Sequence, residues 1–304
     1  MEMEIFMFKL ISDSAFDINK DFAEKNGITM VPLYVTFDGE NYHKEQIDVD
    51  PDEFYRRLVE DGAFPKSSLP TIQDYTDAFL PYVKQNMPII CICISTTLSG
   101  SYNSASTARL QLLDDYPDAK ITVIDSRQDA ASQGLFVYEA LRMRNDNVPY
   151  EKAVSVLNEM IPYGRIFFTI GSLDYLQKGG RIGKLASLIS GKLSIRPLII
   201  LKNGELGIGG IARTRNKSKA NVISLCKKFL KDADFKKENY VFSVEAGYGL
   251  EECEEFRKEV EEQLDIKCLE STEEYPTRIG VVTACHTGPY PIGIGVMPKY
   301  ENFI

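Results

Sequence analysis

Apolar runs and amphipathic segments alternate through the first half of the chain. Ile5 to Ile11 is largely apolar and stops at Ser12-Asp13-Ser14, which predicts a first strand. The short helix that follows ends at Gly27, a residue type suited to the turn after a helix. Ile28 to Phe37 is rich in β-formers and runs into Asp38-Gly39, a hairpin signal. Asp50-Pro51 supplies a cap and a first-turn proline for a helix reaching Gly62. Thr71 and Asp74 have the spacing of a capping box for the next helix. A strand over Pro88–Ser95, a helix over Tyr102–Asp115, a strand over Lys120–Asp125 and two helices, the second from about Pro149, complete this half. Such alternation implies right-handed crossovers and a mostly parallel sheet, with ligands expected beyond the carboxyl ends of its strands. Ser12-Asp13-Ser14, Ser95 to Ser101 and Asp125-Ser126 all fall at those ends.

The texture changes near Ile161-Pro162-Tyr163-Gly164. Beyond it come strands at Arg165–Ile170, Ile195–Lys202 and Glu205–Arg213, the last two joined by Asn203-Gly204 as a hairpin. A helix over Lys217–Leu230, a strand over Tyr240–Glu245, a helix over Leu250–Leu264 and two final strands follow. The apolar run Ile279 to Val282 is the first of these two. The fold class expected is α/β. Residues 1–162 form an N-terminal domain with a mostly parallel sheet flanked by helices, and 163–304 a C-terminal α+β domain with a mixed or antiparallel sheet.

A hydrophobic content of 44% and a charged content of 26% are those of an ordinary globular protein. The net charge of −9 argues against nucleic acid as the main partner. No stretch approaches the length of a membrane span, and the N-terminus lacks the basic start and small-residue cleavage site of a signal peptide. Six cysteines without a C-x-x-C pair and only two histidines make a structural zinc site improbable and point to a reducing cytoplasm. Cys91 and Cys93 alternate within an isoleucine run, as small apolar residues facing one side of a buried strand.

Three segments concentrate hydrogen-bonding groups: Lys66-Ser67-Ser68-Leu69-Pro70, Ser95 to Ser101, and His286-Thr287-Gly288-Pro289. Together they form a set of neutral donors for a small anionic group. Each also has a plainer reading. Ser99 reads equally as a helix N-cap, Ser67-Ser68 as a turn, and His286 as a satisfied histidine in a turn. Arg213 could grip an anion bidentately or simply end a strand in solvent. Lys178-Gly179-Gly180-Arg181-Ile182-Gly183-Lys184 does not fit the phosphate-binding G-x-x-x-x-G-K-[ST] pattern and reads as an exposed basic loop that steers a partner. A serine hydrolase would need a nucleophile elbow, absent around Ser99, and an orienting carboxylate that no spacing selects.

Taken in order, these motifs resemble the DegV family of bacterial fatty-acid-binding proteins over nearly the whole chain. The matching text includes Ser12-Asp13-Ser14, Thr36-Phe37-Asp38-Gly39, Ser67-Ser68-Leu69-Pro70, Leu98-Ser99-Gly100-Ser101, Gly179-Gly180-Arg181-Ile182-Gly183-Lys184, Arg213-Thr214-Arg215 and His286-Thr287-Gly288-Pro289. The resemblance implies a long-chain fatty acid, such as palmitate, stearate or oleate, lying in an apolar tunnel between or beside the two domains. Its carboxylate would be held by Ser67, Ser99 and His286, with Ser68, Thr287 and Arg213 in support. It further implies a non-catalytic subunit, with no cofactor, that presents the carboxylate to a separate ATP-dependent fatty acid kinase. Arg181 and Lys184 are assigned to docking that partner. The chain departs from the usual family pattern at Ser67, Leu69, Thr97 and Tyr290, and in lacking the histidine often seen where the strand Val241–Val244 leads into Glu245-Ala246-Gly247. The rivals are a serine esterase or thioesterase using Ser99 and His286, and a carrier of another small anion.

Overall fold

The computed structural model describes residues 8–188, 195–272 and 278–304. The chain runs β1 (Lys9–Asp13), α1 (Lys20–Lys25), β2 (Ile28–Val31), β3 (Tyr34–Thr36), β4 (His43–Lys44), α2 (Pro51–Glu60), β5 (Lys66–Ser68), α3 (Ile72–Val83), β6 (Ile89–Cys93), α4 (Ser101–Asp115), β7 (Ile121–Asp125), α5 (Ala130–Asn145) and α6 (Tyr150–Met160). It continues with β8 (Arg165–Thr169), α7 (Asp174–Lys178), β9 (Arg196–Lys202), β10 (Glu205–Ala212), α8 (Arg215–Lys231), β11 (Tyr240–Ala246), α9 (Leu250–Leu264), α10 (Leu269–Thr272), α11 (Val281–Thr287) and β12 (Ile292–Pro298).

The caps visible in the sequence are made. Asp50 accepts from the Glu53 N–H under Pro51, and Thr71 and Asp74 close a reciprocal capping box at the start of α3. The parallel sheet has the order β2-β1-β6-β7. Every residue of β1 and β6 is buried, because helices cover both faces and leave no polar side for alternation. Cys91 and Cys93 lie together on one face, their sulfurs 3.9 Å apart.

A five-stranded antiparallel sheet, β10-β9-β8-β12-β11, forms the other large layer. Asn203 and Gly204 take positive φ at the β9–β10 turn, as a tight hairpin requires. Helices α8 and α9 pack on one face of this sheet. Helix α5 is buried nearly all round and packs against β1, β8, β11 and β12, so one apolar helix is shared by the two sheets. A small antiparallel sheet, β4-β3-β5, stands beside them and carries Ser67 in register with Val35.

One expectation fails. Ile279 to Val282 is not a strand, and only β12 follows as a strand among the described residues. After one strand-like bond, from the Ile279 N–H to the Ala246 carbonyl, the chain turns at Gly280 into helix α11. The helix is buried on nearly every side, so its sequence has no polar face and cannot be told from a core strand by periodicity. Gly280 is required there: a Cβ would stand 2.5 Å from Glu45 Oε1 and 2.6 Å from Asp17 Oδ1.

Candidate functional site

A cavity of about 150 Å³ opens where the small sheet, the carboxyl end of the parallel sheet and α11 meet. Its walls include Leu33, Ile94, Leu98, Phe168, Leu206 and Val282, and its polar groups are Ser67, Ser68, Ser99, Asp129, Arg181, Thr283, His286 and Thr287. A second, smaller space of about 40 Å³ continues from it, sharing Asp129, Phe168, Leu206, Thr283 and Thr287 and ending among Ala131, Ile166, Glu245, Ile279 and Gly293.

Each polar group at the mouth is placed by a neighbour whose role is structural. Asp13, buried at the end of β1, accepts from Ser101 Oγ at 2.6 Å, the Ile94 N–H at 2.9 Å and Gln133 Nε2 at 2.7 Å. Burial pushes its carboxyl up, opposed by these donors. This knot pins the start of α4 and with it the loop that carries Ser99. Within the loop, Ser95 and Thr97 donate to the Gly204 carbonyl of the β9–β10 turn, and Thr96 donates to Asp125 at 2.7 Å. A Cβ on Gly204 would lie 2.6 Å from Ser95 Oγ, so glycine serves both the turn and the docking. The Ser99 oxygen accepts only weakly, from the Ser101 N–H at 3.3 Å, and its proton remains free to be given.

His286 projects from the last turn of α11 and lies 2.8 Å from Ser67 through Nε2. Burial, and next the nearby Arg181 guanidinium, push its pKa down to about 4, so the ring is neutral at pH 7. Its Nδ1 is buried without a partner, facing Gly179, where a Cβ would stand 2.2 Å from that nitrogen. An N–H buried without an acceptor is rarer than a bare lone pair, which favours the tautomer protonated at Nε2. Ser67 then accepts from the ring and keeps its own proton for a ligand. The turn after His286 depends on Gly288, at φ 74° and ψ −166°, where a Cβ would also meet the Tyr175 ring at 2.6 Å.

Ser67, Ser68, Ser99, His286 and Thr287 therefore line one cavity, although Thr287 spends its hydroxyl on the Thr283 carbonyl at 3.1 Å. Arg181, expected at a docking surface, lines this cavity as well. Its Nε donates to the Leu98 carbonyl at 3.1 Å and its Nη1 to that of Gly179 at 2.6 Å. The donor set is thus not wholly uncharged. Lys184 stays outside, exposed and paired with Glu205. Arg213 lies exposed just past β10, next to Thr214, which caps α8, and is not among the described residues that line the cavity.

Sequence reasoning missed Asp129, Thr283 and Glu245. A helix reading of Val281–Thr287 would have put Thr283 and His286 on one face, at i and i+3. Asp129 caps α5 by accepting from the Ala130 N–H, and Thr283 Oγ1 lies 3.3 Å from the same oxygen. Burial pushes Asp129 up to about 7. Among the described residues no cluster of His, Cys, Asp or Glu has the arrangement of a metal site, and no helix is long and apolar enough to cross a membrane.

The model of the DegV family matches residues 7–299. A DegV domain-containing protein of Clostridium perfringens is 30% identical over 286 residues, covering 94% of this chain and 97% of that protein. A stearic-acid-binding protein of Eubacterium ventriosum has a solved structure that superposes with a TM-score of 0.92 at 48% identity, covering 97% of this chain and all of the other. A fatty-acid-binding DegV protein of Thermus thermophilus shares the fold, with a TM-score of 0.83 at 24% identity over 96% of this chain and 99% of that one. By its sequence along nearly its full length, this chain belongs to the DegV family.

Proposed function

We propose that this protein binds a long-chain fatty acid, with the carboxylate at the mouth of the cavity and the acyl chain along its apolar interior. The observation that carries the reading is the convergence of Ser67, Ser99, His286 and Arg181 on one end of a cavity whose other walls are mostly aliphatic and aromatic. Burial of an acyl chain gains roughly 0.8 kcal/mol per CH₂, so the interior supplies most of the affinity. The carboxylate loses water on entry and needs replacement donors, which the Ser67 and Ser99 hydroxyls and the Arg181 guanidinium offer. The stearic-acid-binding relative at 48% identity supports the same class of ligand. A small polar anion would leave the apolar walls without a role.

The finer reading is that the bound acid is handed, carboxylate outward, to a separate ATP-dependent fatty acid kinase, and that the chain does no chemistry alone. The exposed Lys184 belongs to the docking face in this reading, with Arg181 turned from docking to the head group. Purified protein examined by native mass spectrometry should carry a mass of fatty-acid size or take up added oleate; a bare spectrum with no uptake would sink the proposal. Acyl phosphate should form only when protein, kinase and ATP are combined.

The Ser67–His286 contact invites a hydrolase reading, with Ser67 rather than Ser99 beside the imidazole. The pair lacks its third member: Nδ1, which an orienting carboxylate would hold, faces Gly179 with no partner. Labelling of Ser67 or Ser99 by a fluorophosphonate would revive hydrolysis.

A further inference from the structure

The inner end of the cavity holds a carboxyl that the reading above does not use. Glu245 lies on β11, where alternation sends Phe242, Val244 and Ala246 into the core beneath α8 and α9 and turns Glu245 to the other face. It is 2% exposed, and neither of its side-chain oxygens has a hydrogen-bond partner. It lines the smaller space with Ala131, Ile166, Leu201, Ile279 and Pro291, an apolar setting for an unpaired acid.

Burial, then the neighbouring Glu270 and Asp129, raise its carboxyl well above the ordinary range. The Ala131 N–H offsets this in part but makes no hydrogen bond of ordinary geometry with it. Among the described residues no lysine or arginine lines this end of the cavity. A neutral carboxyl there has one proton to give and lone pairs to receive. A saturated chain passing it would leave both unused, which buried polar groups rarely tolerate. Asp129 and Thr283 line both spaces, so a polar stripe runs inward from His286 past Thr283 toward Glu245. The helical rise from Val281 to His286 spans about 8 Å, and Gly280 and Ile279 run on beyond it, which puts the Ile279 end, beside Glu245, part-way along a long acyl chain whose head is at His286.

We infer that the preferred ligand is a hydroxylated long-chain fatty acid, and that Glu245, with Thr283 and Asp129 beside it, receives the mid-chain hydroxyl. A hydroxyl is both donor and acceptor, which matches an un-ionised carboxyl. The inference rests on the fatty-acid reading and narrows its ligand class.

The test is competition for the full-length protein between stearic acid and three hydroxystearic acids, with the hydroxyl near the head, the middle and the tail. Displacement of a fluorescent fatty acid gives each affinity. The middle isomer should bind at least about tenfold more tightly than stearic acid, and the other two should not. Glu245→Leu should abolish or invert that preference, and Glu245→Gln, whose amide also gives and receives, should keep part of it. Equal affinity for stearic acid and all three isomers would overturn the inference, as would a mid-chain preference that survives Glu245→Leu. Should the leucine variant fail to fold, the dependence on hydroxyl position in the unaltered protein and the Glu245→Gln comparison still decide. Stearic acid binding without a hydroxyl preference removes only this inference; failure of every acid to bind removes the fatty-acid reading itself.

Discussion

The two ends of the cavity are both polar, yet they are built on opposite electrostatic plans. At the mouth, Ser67, Ser99, His286 and Arg181 are half-buried or exposed groups, several already engaged with one another or with backbone carbonyls. At the inner end, Glu245 is buried and Asp129 partly buried, both pushed toward their neutral forms, with Asp17 and Glu45 packed close by against Gly280. The mouth keeps a positive charge within reach of water, where solvation is cheap, and so suits an ionised head group. The interior solvates charge poorly and biases its acids toward their neutral forms. The two ends therefore differ in kind: one offers an exposed cation beside hydroxyls, the other buried carboxyls and no cation among the described lining residues.

Breaking the mouth's backbone should have the largest effect. Gly288→Ala places a side chain in a conformation essentially reserved for glycine and against the Tyr175 ring, and should destabilise the protein by about 3 kcal/mol, seen as a drop in Tm. An unchanged Tm would mean that the turn relaxes freely and does not hold His286 in place.

Next come the donors themselves. Ser67→Ala and His286→Ala should each weaken fatty-acid binding about tenfold, and the double variant should lose less than the product of the two, because they share one hydrogen bond. Strictly multiplicative losses would show that they act apart.

The inner plan is tested by pH. Glu45 and Asp129, both pushed up to about 7 by burial, titrate near their ordinary carboxylate values in an unfolded chain. Between about pH 4 and pH 7 the folded state then holds protons that the unfolded chain has shed, so stability falls as pH rises through that window. His286, lowered to about 4, works the other way: its contribution is lost as pH falls from about 6.5. Two carboxyls outweigh one imidazole, and Tm should decline from pH 5 to pH 8. Glu45→Gln keeps an acceptor for the Val282 N–H and should flatten the decline; an identical slope would remove Glu45 from the account.

The smallest effects belong to the mouth's charges. Arg181→Gln should weaken fatty-acid binding a few-fold and reduce its salt dependence, since the guanidinium is exposed and screened. Lys184→Ala should leave lipid affinity unchanged, and equal losses in both variants would return Arg181 to the same surface as Lys184.

Much of the frame was readable in advance because it rests on local rules. Asp50-Pro51, Thr71 with Asp74, Asp38-Gly39 and Asn203-Gly204 mark helix starts and turns by chemistry that operates within a few residues. The alternation of apolar runs with helices likewise set out the parallel sheet, whose strand ends carry the Ser99 loop. The strand expected at Ile279–Val282 gives way to helix α11, because a helix buried on nearly every side displays no period, and Thr283 stays hidden with it. Arg181 and Arg213 look alike in the sequence, as basic residues in motif-bearing loops. Only the path of the chain brings one to the cavity and leaves the other in solvent.

The residue types alone marked Ser67, Ser99 and His286 as hydroxyl and imidazole groups in three motif-bearing segments. Which hydroxyls remain free was decided in three dimensions: Thr96 and Thr97 spend theirs on Asp125 and Gly204, while Ser67 and Ser99 face the cavity. The tertiary structure also decided the protonation of the interior acids. Burial raises a carboxyl only once the fold has closed over it, and nothing in the text around Asp129 or Glu245 foretells which distant residues will exclude water there.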